Sequence, residues 1–154
     1  SISYHLVTGQ IQGMKSKKRQ FEDLFKVNKP MKFNIFHPDC PARLFFEKFA
    51  DKWILLIVYT LDQESQHFNE LKKNVLGISP KVLSQKLKIL ERDGFLTRTI
   101  HEDNVIRVEY ALTEIGKDFA QNAYQMKDWV EANMLKVLKS RAGFDQKLEK
   151  TEPA

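Results

Sequence analysis

The apolar positions of this chain fall into short periodic segments separated by polar, glycine- or proline-marked breaks. Residues 20–27 carry Phe21, Leu24 and Phe25 at helical spacing and stop before Asn28-Lys29-Pro30. Pro41 suits a first helical turn, so Asp39-Cys40-Pro41 predicts the entrance to a helix over 42–50, with Phe45, Phe46 and Phe49 facing inward. Residues 52–61 are apolar nearly all round, from Trp53 and Ile54 to Ile57 and Val58, as a central helix would be. Periodicity alone fits a buried strand equally well; the link to the preceding helix and the polar break at 62–65 favour a helix.

Phe68, Leu71 and Val75 mark a short amphipathic helix over 68–74, followed by a tight turn at Leu76-Gly77-Ile78. Ser79-Pro80 supplies an N-cap and a first-turn proline for a helix that reaches Asp93 and is ended by Gly94. Segments 95–101 and 105–112, joined by Glu102-Asp103-Asn104, predict a hairpin. Thr113 can cap a last long helix to about residue 138, with Ile115, Phe119, Tyr124, Met126, Trp129 and Val130 among its apolar positions. This order of elements is that of a winged helix-turn-helix. The expected fold is mainly α with a small β-hairpin wing (α+β), with additional N- and C-terminal dimerisation helices. Residues 1–32 form an N-terminal basic arm and helix, 33–138 the winged domain with its C-terminal dimerisation helix, and 139–154 a polar tail. Residues 1–13, which precede Met14 and a basic run, are read as added rather than native sequence.

Charge sharpens this picture only locally. The 154 residues hold 25 Lys+Arg and 20 Asp+Glu, a formal +5. Seven of those cations (Lys15, Lys17, Lys18, Arg19, Lys26, Lys29 and Lys32) fall in 15–32 beside Glu22 and Asp23, which accounts for the whole net charge. The basic run is either a solvated tail or a phosphate-seeking arm. On a wheel of about 100° per residue, Leu83, Leu87 and Leu90 share one arc of the helix after Ser79, and Lys81, Gln85, Lys88 and Arg92 lie opposite, with Ser84 at the margin. Gln and Ser can bond base edges, and Lys can reach guanine acceptors or phosphate. Lys52, Lys72 and Lys73 would address the flanking backbone, and Arg98 and Arg107 an adjacent groove or phosphates. The acidic Glu102-Asp103 tip would repel a close phosphate, so the wing is expected to touch DNA from its strands rather than its tip.

Other chemistry is sparse. One cysteine excludes an intrachain disulfide and a Cys-rich zinc site. The four histidines (His5, His37, His67 and His101) lie too far apart for a metal motif. No phosphate loop, nucleophile elbow or catalytic constellation is legible, so neither an enzyme nor a cofactor is expected. The apolar run 53–61 is far short of the roughly 20 residues that span a bilayer, and no secretory signal is legible, so a cytoplasmic protein without a membrane partner is expected. Cys40 has two readings: an N-cap thiol that helix dipole and amides favour as thiolate, or a small, partly buried, unreactive residue. Trp53, Trp129 and the Phe-rich stretch 45–49 are core or interface, or line a pocket for a small effector.

The motifs Cys40-Pro41, Asp51-Lys52-Trp53, Phe68-Asn69-Glu70-Leu71, Gly77-Ile78-Ser79, Leu83-Ser84-Gln85-Lys86-Leu87, Leu90-Glu91-Arg92-Asp93-Gly94-Phe95, Arg107-Val108-Glu109-Tyr110-Ala111-Leu112-Thr113 and Gly116 together resemble the HxlR-type (MarR-like) winged-helix transcriptional regulators over about residues 38–133. The resemblance implies a small bacterial dimer that binds operator DNA, usually as a repressor and sometimes as an activator, with helices at the two chain ends forming the interface. Phe21, Leu24, Phe25, Tyr124, Trp129 and Val130 are the residues expected there. Several family members sense electrophiles or oxidants through a cysteine matching Cys40. Two departures stand out: Ala50-Asp51 replaces a common Gly-Gly pair, and Asn104-Val105-Ile106 replaces prolines of the wing. The main reading is a homodimeric, sequence-specific regulator of transcription on a near-palindromic operator. The other is a winged-helix protein-interaction module that never touches DNA, which the acidic wing tip and the neutral body favour.

Overall fold

The computed structural model describes residues 32–151. The expected helix over 20–27, its Phe21, Leu24 and Phe25, and the basic run from Lys15 lie outside the described residues. The chain divides into two compact units at Ala50/Asp51.

In the first unit, a turn at Asn34 leads to Cys40, which occupies the N-cap of α1, Pro41–Phe49. Proline fits there because a first-turn residue has no intrahelical partner for its N–H. Phe45 and Phe49 are half-buried, but Phe46 is 52% exposed, so only two of the three expected inward phenylalanines face in.

The second unit opens on Asp51, the N-cap of α2, Lys52–Gln63. Its Oδ1 accepts from the amides of Trp53 at 2.9 Å and Ile54 at 3.1 Å, while Oδ2 meets the Lys86 ammonium. An aspartate thus stands where the resembled family often has glycine, and it ties two helices together. Ile54, Ile57, Val58 and Leu61 are buried along one side of α2. Leu56 is 41% exposed, so the helix is central but not apolar-buried all round. It also continues through Asp62 and Gln63 rather than breaking there. Its last turn is held from outside: Gln63 donates to the Tyr124 hydroxyl at 3.0 Å, and the Tyr59 hydroxyl donates to the Ala123 carbonyl at 2.7 Å.

After α2 come β1 (Gln66–His67), α3 (Phe68–Asn74) and α4 (Pro80–Arg92), then β2 (Leu96–Glu102), β3 (Ile106–Leu112) and α5 (Glu114–Thr151). The antiparallel sheet has the order β1-β3-β2, with Leu96 opposite Leu112, Arg98 opposite Tyr110 and Glu102 opposite Ile106. β1 is absent from the sequence reading because two residues are too few to show a period of two. It pairs Gln66 with Tyr110 and His67 with Glu109.

α4 begins as expected. Ser79 Oγ accepts from the Val82 amide at 3.2 Å, and Pro80 follows in the first turn. Gly94, at φ +80°, ends it; in this left-handed conformation the Phe95 amide reaches back to the Leu90 carbonyl at 2.9 Å. Thr113 then accepts from the Gly116 amide at 3.2 Å and donates to the Gly94 carbonyl at 2.6 Å, joining the end of α4 to the start of α5.

α5 runs well past residue 138, to Thr151. The expected polar tail is helical through its described part because Arg141, Ala142, Gln146, Lys147, Leu148, Glu149 and Lys150 are good helix formers and no proline intervenes before Pro153.

The Asp51 node carries a pH signature. Burial alone raises its carboxyl, but the Lys86 hydrogen bond, the Ile54 and Trp53 amides and the Lys86 charge outweigh that and hold it below its ordinary value. A depressed carboxyl contributes stability above the unfolded-state value and loses it as pH falls through the folded one. Asn keeps the cap but cannot pair with Lys86 as an ion. Asp51→Asn should therefore melt below wild type at neutral pH, with the gap closing below about pH 4. Melting temperatures across an acid series check this, and a gap independent of pH would contradict it.

Candidate nucleic-acid interface

The helix-turn-helix pair is α3 and α4, and α4 presents the face that the wheel assigns. Leu83, Leu87 and Leu90 are buried, Ser84 is half-buried, and Ser79, Lys81, Gln85, Lys88 and Arg92 are exposed. One further lysine, Lys86, is turned aside into its ion pair with Asp51. The outward face therefore concentrates Lys81, Gln85, Lys88 and Arg92 with no ion pair between them and any carboxylate of the described residues.

The flanking cations differ in availability. Lys73 is exposed and Lys72 half-buried on α3. The Lys52 ammonium lies over the Trp53 ring, 4.6 Å from its centroid, which anchors the side chain while leaving the residue exposed. The hairpin separates the two arginines that the sequence grouped. Side chains alternate across a strand, so Arg98, opposite Tyr110, and Arg107, opposite His101, sit on different faces. Arg98 shares a cleft of about 310 Å³ with Ser84, Leu87, Lys88, Glu91 and Tyr110. Arg107 instead lines a groove with Val105, Ile106, Val108 and the start of α3 at His67–Glu70. The structure thus brings Ser84, Lys88 and Arg98 together and leaves Arg107 apart from them. Sequence reading missed Glu91 and Tyr110 as neighbours of Arg98; hairpin register was the signal that could have found Tyr110.

The wing tip is acidic and exposed at Glu102 and Asp103, with Val105 and Ile106 beside it at 63% and 75% exposure. On the Arg107 face His101 Nε2 meets Glu109 Oε2 at 3.0 Å. A Ser65 hydrogen bond and then the His101 contact hold the Glu109 carboxyl below its usual range. His67 contributes structure: its ring bonds the Val108 carbonyl at 3.1 Å, and its amide donates to Glu70 at 2.7 Å.

Of the expected interface residues, Trp129 and Val130 are 64% and 45% exposed on α5, continued by Leu135, Leu138, Phe144 and Leu148. Tyr124 is engaged inside the chain, its ring 5.0 Å from that of Tyr59. Cys40 holds the N-cap position, but its thiol makes no cap hydrogen bond and is fully buried. Among the described residues no cluster of potential metal ligands occurs, and no helix is long and apolar enough to cross a membrane.

A short helix, a glycine turn, a Ser-Pro-capped helix with an outward polar face and a following hairpin define a winged helix-turn-helix transcriptional regulator. Residues 49–137 match the HxlR-like helix-turn-helix family, and the chain belongs to it. It is 34% identical over 108 residues to the HTH-type transcriptional regulator YtfH of Escherichia coli (strain K12), covering 70% of this chain and 86% of that one. Among solved structures, the transcriptional regulator YtfH from Salmonella typhimurium superposes with a TM-score of 0.67 at 33% identity, over 72% of this chain and 99% of that one. The reduced form of the redox regulator HypR gives 0.58 at 31% identity, over 65% and 98%.

Proposed function

We propose that this regulator acts in the cytoplasm as a homodimer that places α4 of each subunit in successive major grooves of a near-palindromic operator and represses transcription there. The observation that carries the reading is the exposed face of α4, where Lys81, Gln85, Lys88 and Arg92 form no ion pair among the described residues, beside the exposed helix start at Ser79. Gln85 and Lys88 read base edges, with Ser84 at the flank. Lys52, Lys72 and Lys73 hold the adjoining phosphates, Arg98 reaches the backbone from the wing, and Arg107 addresses phosphate from the other hairpin face. Selection of bound fragments from the source genome tests this: a recovered two-fold motif, its halves about 34 Å apart, supports it. Recovery of no motif contradicts it.

The exposed apolar residues of α5 support the dimer. Trp129, Val130, Leu135 and Leu138 are large apolar side chains left exposed along α5, the kind of residue that a subunit interface covers. Sedimentation at micromolar concentration should give a dimer, and Trp129→Glu should shift it toward monomer and weaken DNA binding. A wild-type monomer with full DNA binding would contradict the assignment.

Cys40 is the residue through which an oxidant or electrophile would act, a reading supported by the similarity to a redox regulator. Its burial means that reaction requires local opening of the turn before α1. The alternative, a protein-interaction module, is favoured by the exposed acidic and apolar wing tip.

A further inference from the structure

α4 carries four cations, Lys81, Lys86, Lys88 and Arg92. Among the described residues only Lys86 of these is held in an ion pair. Lys86 directly follows Gln85, about 100° round the wheel from it, at the border between the outward face and the buried leucines. A lysine at that border is suited to phosphate rather than to base edges. Its ammonium instead meets Asp51 Oδ2, while Oδ1 of the same carboxylate takes the Trp53 and Ile54 amides. Three donors thus converge on one anion of the chain itself. The pair is not sealed in the core: the Lys86 and Asp51 side chains are 22% and 21% exposed, so an outside anion can reach the same ammonium. The residue after Asp51 is Lys52, which is exposed and stands among the lysines assigned to phosphate.

We propose that Asp51 limits the affinity for DNA by competing with backbone phosphate for Lys86. While the carboxylate holds the ammonium, each subunit engages one phosphate fewer than its cations would allow. The inference rests on the reading given under Proposed function, in which α4 and Lys52 face DNA. The two amide bonds fix the carboxylate in place against Lys86, so Asp51 competes as a tethered anion at high effective concentration, whereas a phosphate must displace it. Removing the carboxylate charge while keeping the cap should therefore strengthen DNA binding. Loss of a merely structural ion pair would leave binding unchanged or weaken it.

The test measures the affinity of the full chain for random-sequence duplex over a salt series, in the parent, in Asp51→Asn, in Lys86→Gln and in the double variant. Asp51→Asn keeps a side-chain oxygen for the two amides and frees Lys86. It should bind about tenfold tighter at low salt. For a dimer, the slope of log affinity against log salt should steepen by about 1.8, two phosphates at about 0.9 each. Asp51→Ser, which caps through a hydroxyl, should do the same. Lys86→Gln should leave the parent slope nearly unchanged but remove the gain of Asp51→Asn, which separates the freed cation from the mere loss of a negative charge. An unchanged slope in both Asp51 variants, a gain that survives Lys86→Gln, or an equal fall in slope on Lys86→Gln in both backgrounds overturns the proposal and leaves DNA binding in place. A parent chain that binds no duplex at low salt overturns the DNA reading and this proposal with it.

Discussion

Gly116→Ala should destabilise the fold by about 1–3 kcal/mol or more, although alanine is the better helix former. A Cβ at position 116 would stand 2.0 Å from the Phe95 carbonyl oxygen, 3.0 Å from its carbon and 3.3 Å from Leu112 Cδ2. The first two are backbone atoms, and the Phe95 carbonyl also accepts from the Thr113 amide at 3.1 Å, so relief must move the junction between the hairpin and α5. Helix propensity returns only about 0.5–1 kcal/mol, too little to offset the clash. Gly143 provides the opposite sign within the same helix. A Cβ there meets nothing within 4 Å, so Gly143→Ala should stabilise by up to about 1 kcal/mol. Urea unfolding of the two variants checks both, and equal shifts in one direction would contradict the packing described.

Gln85→Ala should cost about 1–3 kcal/mol on the selected operator and much less on random duplex. Gln85 is exposed on the outward face of α4, opposite the buried Leu83 and Leu87, where an amide can meet a base edge. Lys73→Ala should instead weaken both DNAs alike and flatten the salt dependence, because an exposed lysine on α3 is suited to phosphate. Competition binding with operator and scrambled duplexes separates the two effects. Equal losses on both DNAs for Gln85→Ala would remove it from the reading face.

Much of this was legible in the sequence where local chemistry decides the structure. Ser79-Pro80 and Gly94 set the ends of α4, and the leucine stripe oriented it, because caps and periodicity act within a few residues. Elements decided by distant partners were harder to see. β1 exists through pairing with β3, and the last turn of α2 is held by contacts from α5 at Ala123 and Tyr124. The same long-range packing engages Tyr124 with Tyr59 inside the chain. In the candidate site, the exposed cations of α4 followed from the wheel, but the separation of Arg98 from Arg107 needed the hairpin register. Glu91 becomes a neighbour of Arg98 only in the cleft that tertiary packing forms. Asp51 shows the reverse: its departure from the family pattern was plain, whereas its double role as cap and Lys86 partner appears only in three dimensions.

We propose that the cationic outer face of α4, its flanking lysines and the wing arginines engage duplex DNA. The measurement that tests it most directly is the affinity of the full chain for duplex DNA as a function of salt. If a dimer neutralises about six to ten phosphates, log affinity should fall linearly with log salt, losing about 10³–10⁵ between roughly 50 and 200 mM. Lys73→Ala should reduce that slope. No duplex binding at low salt, or binding indifferent to salt, would contradict the account and favour a protein partner at the wing.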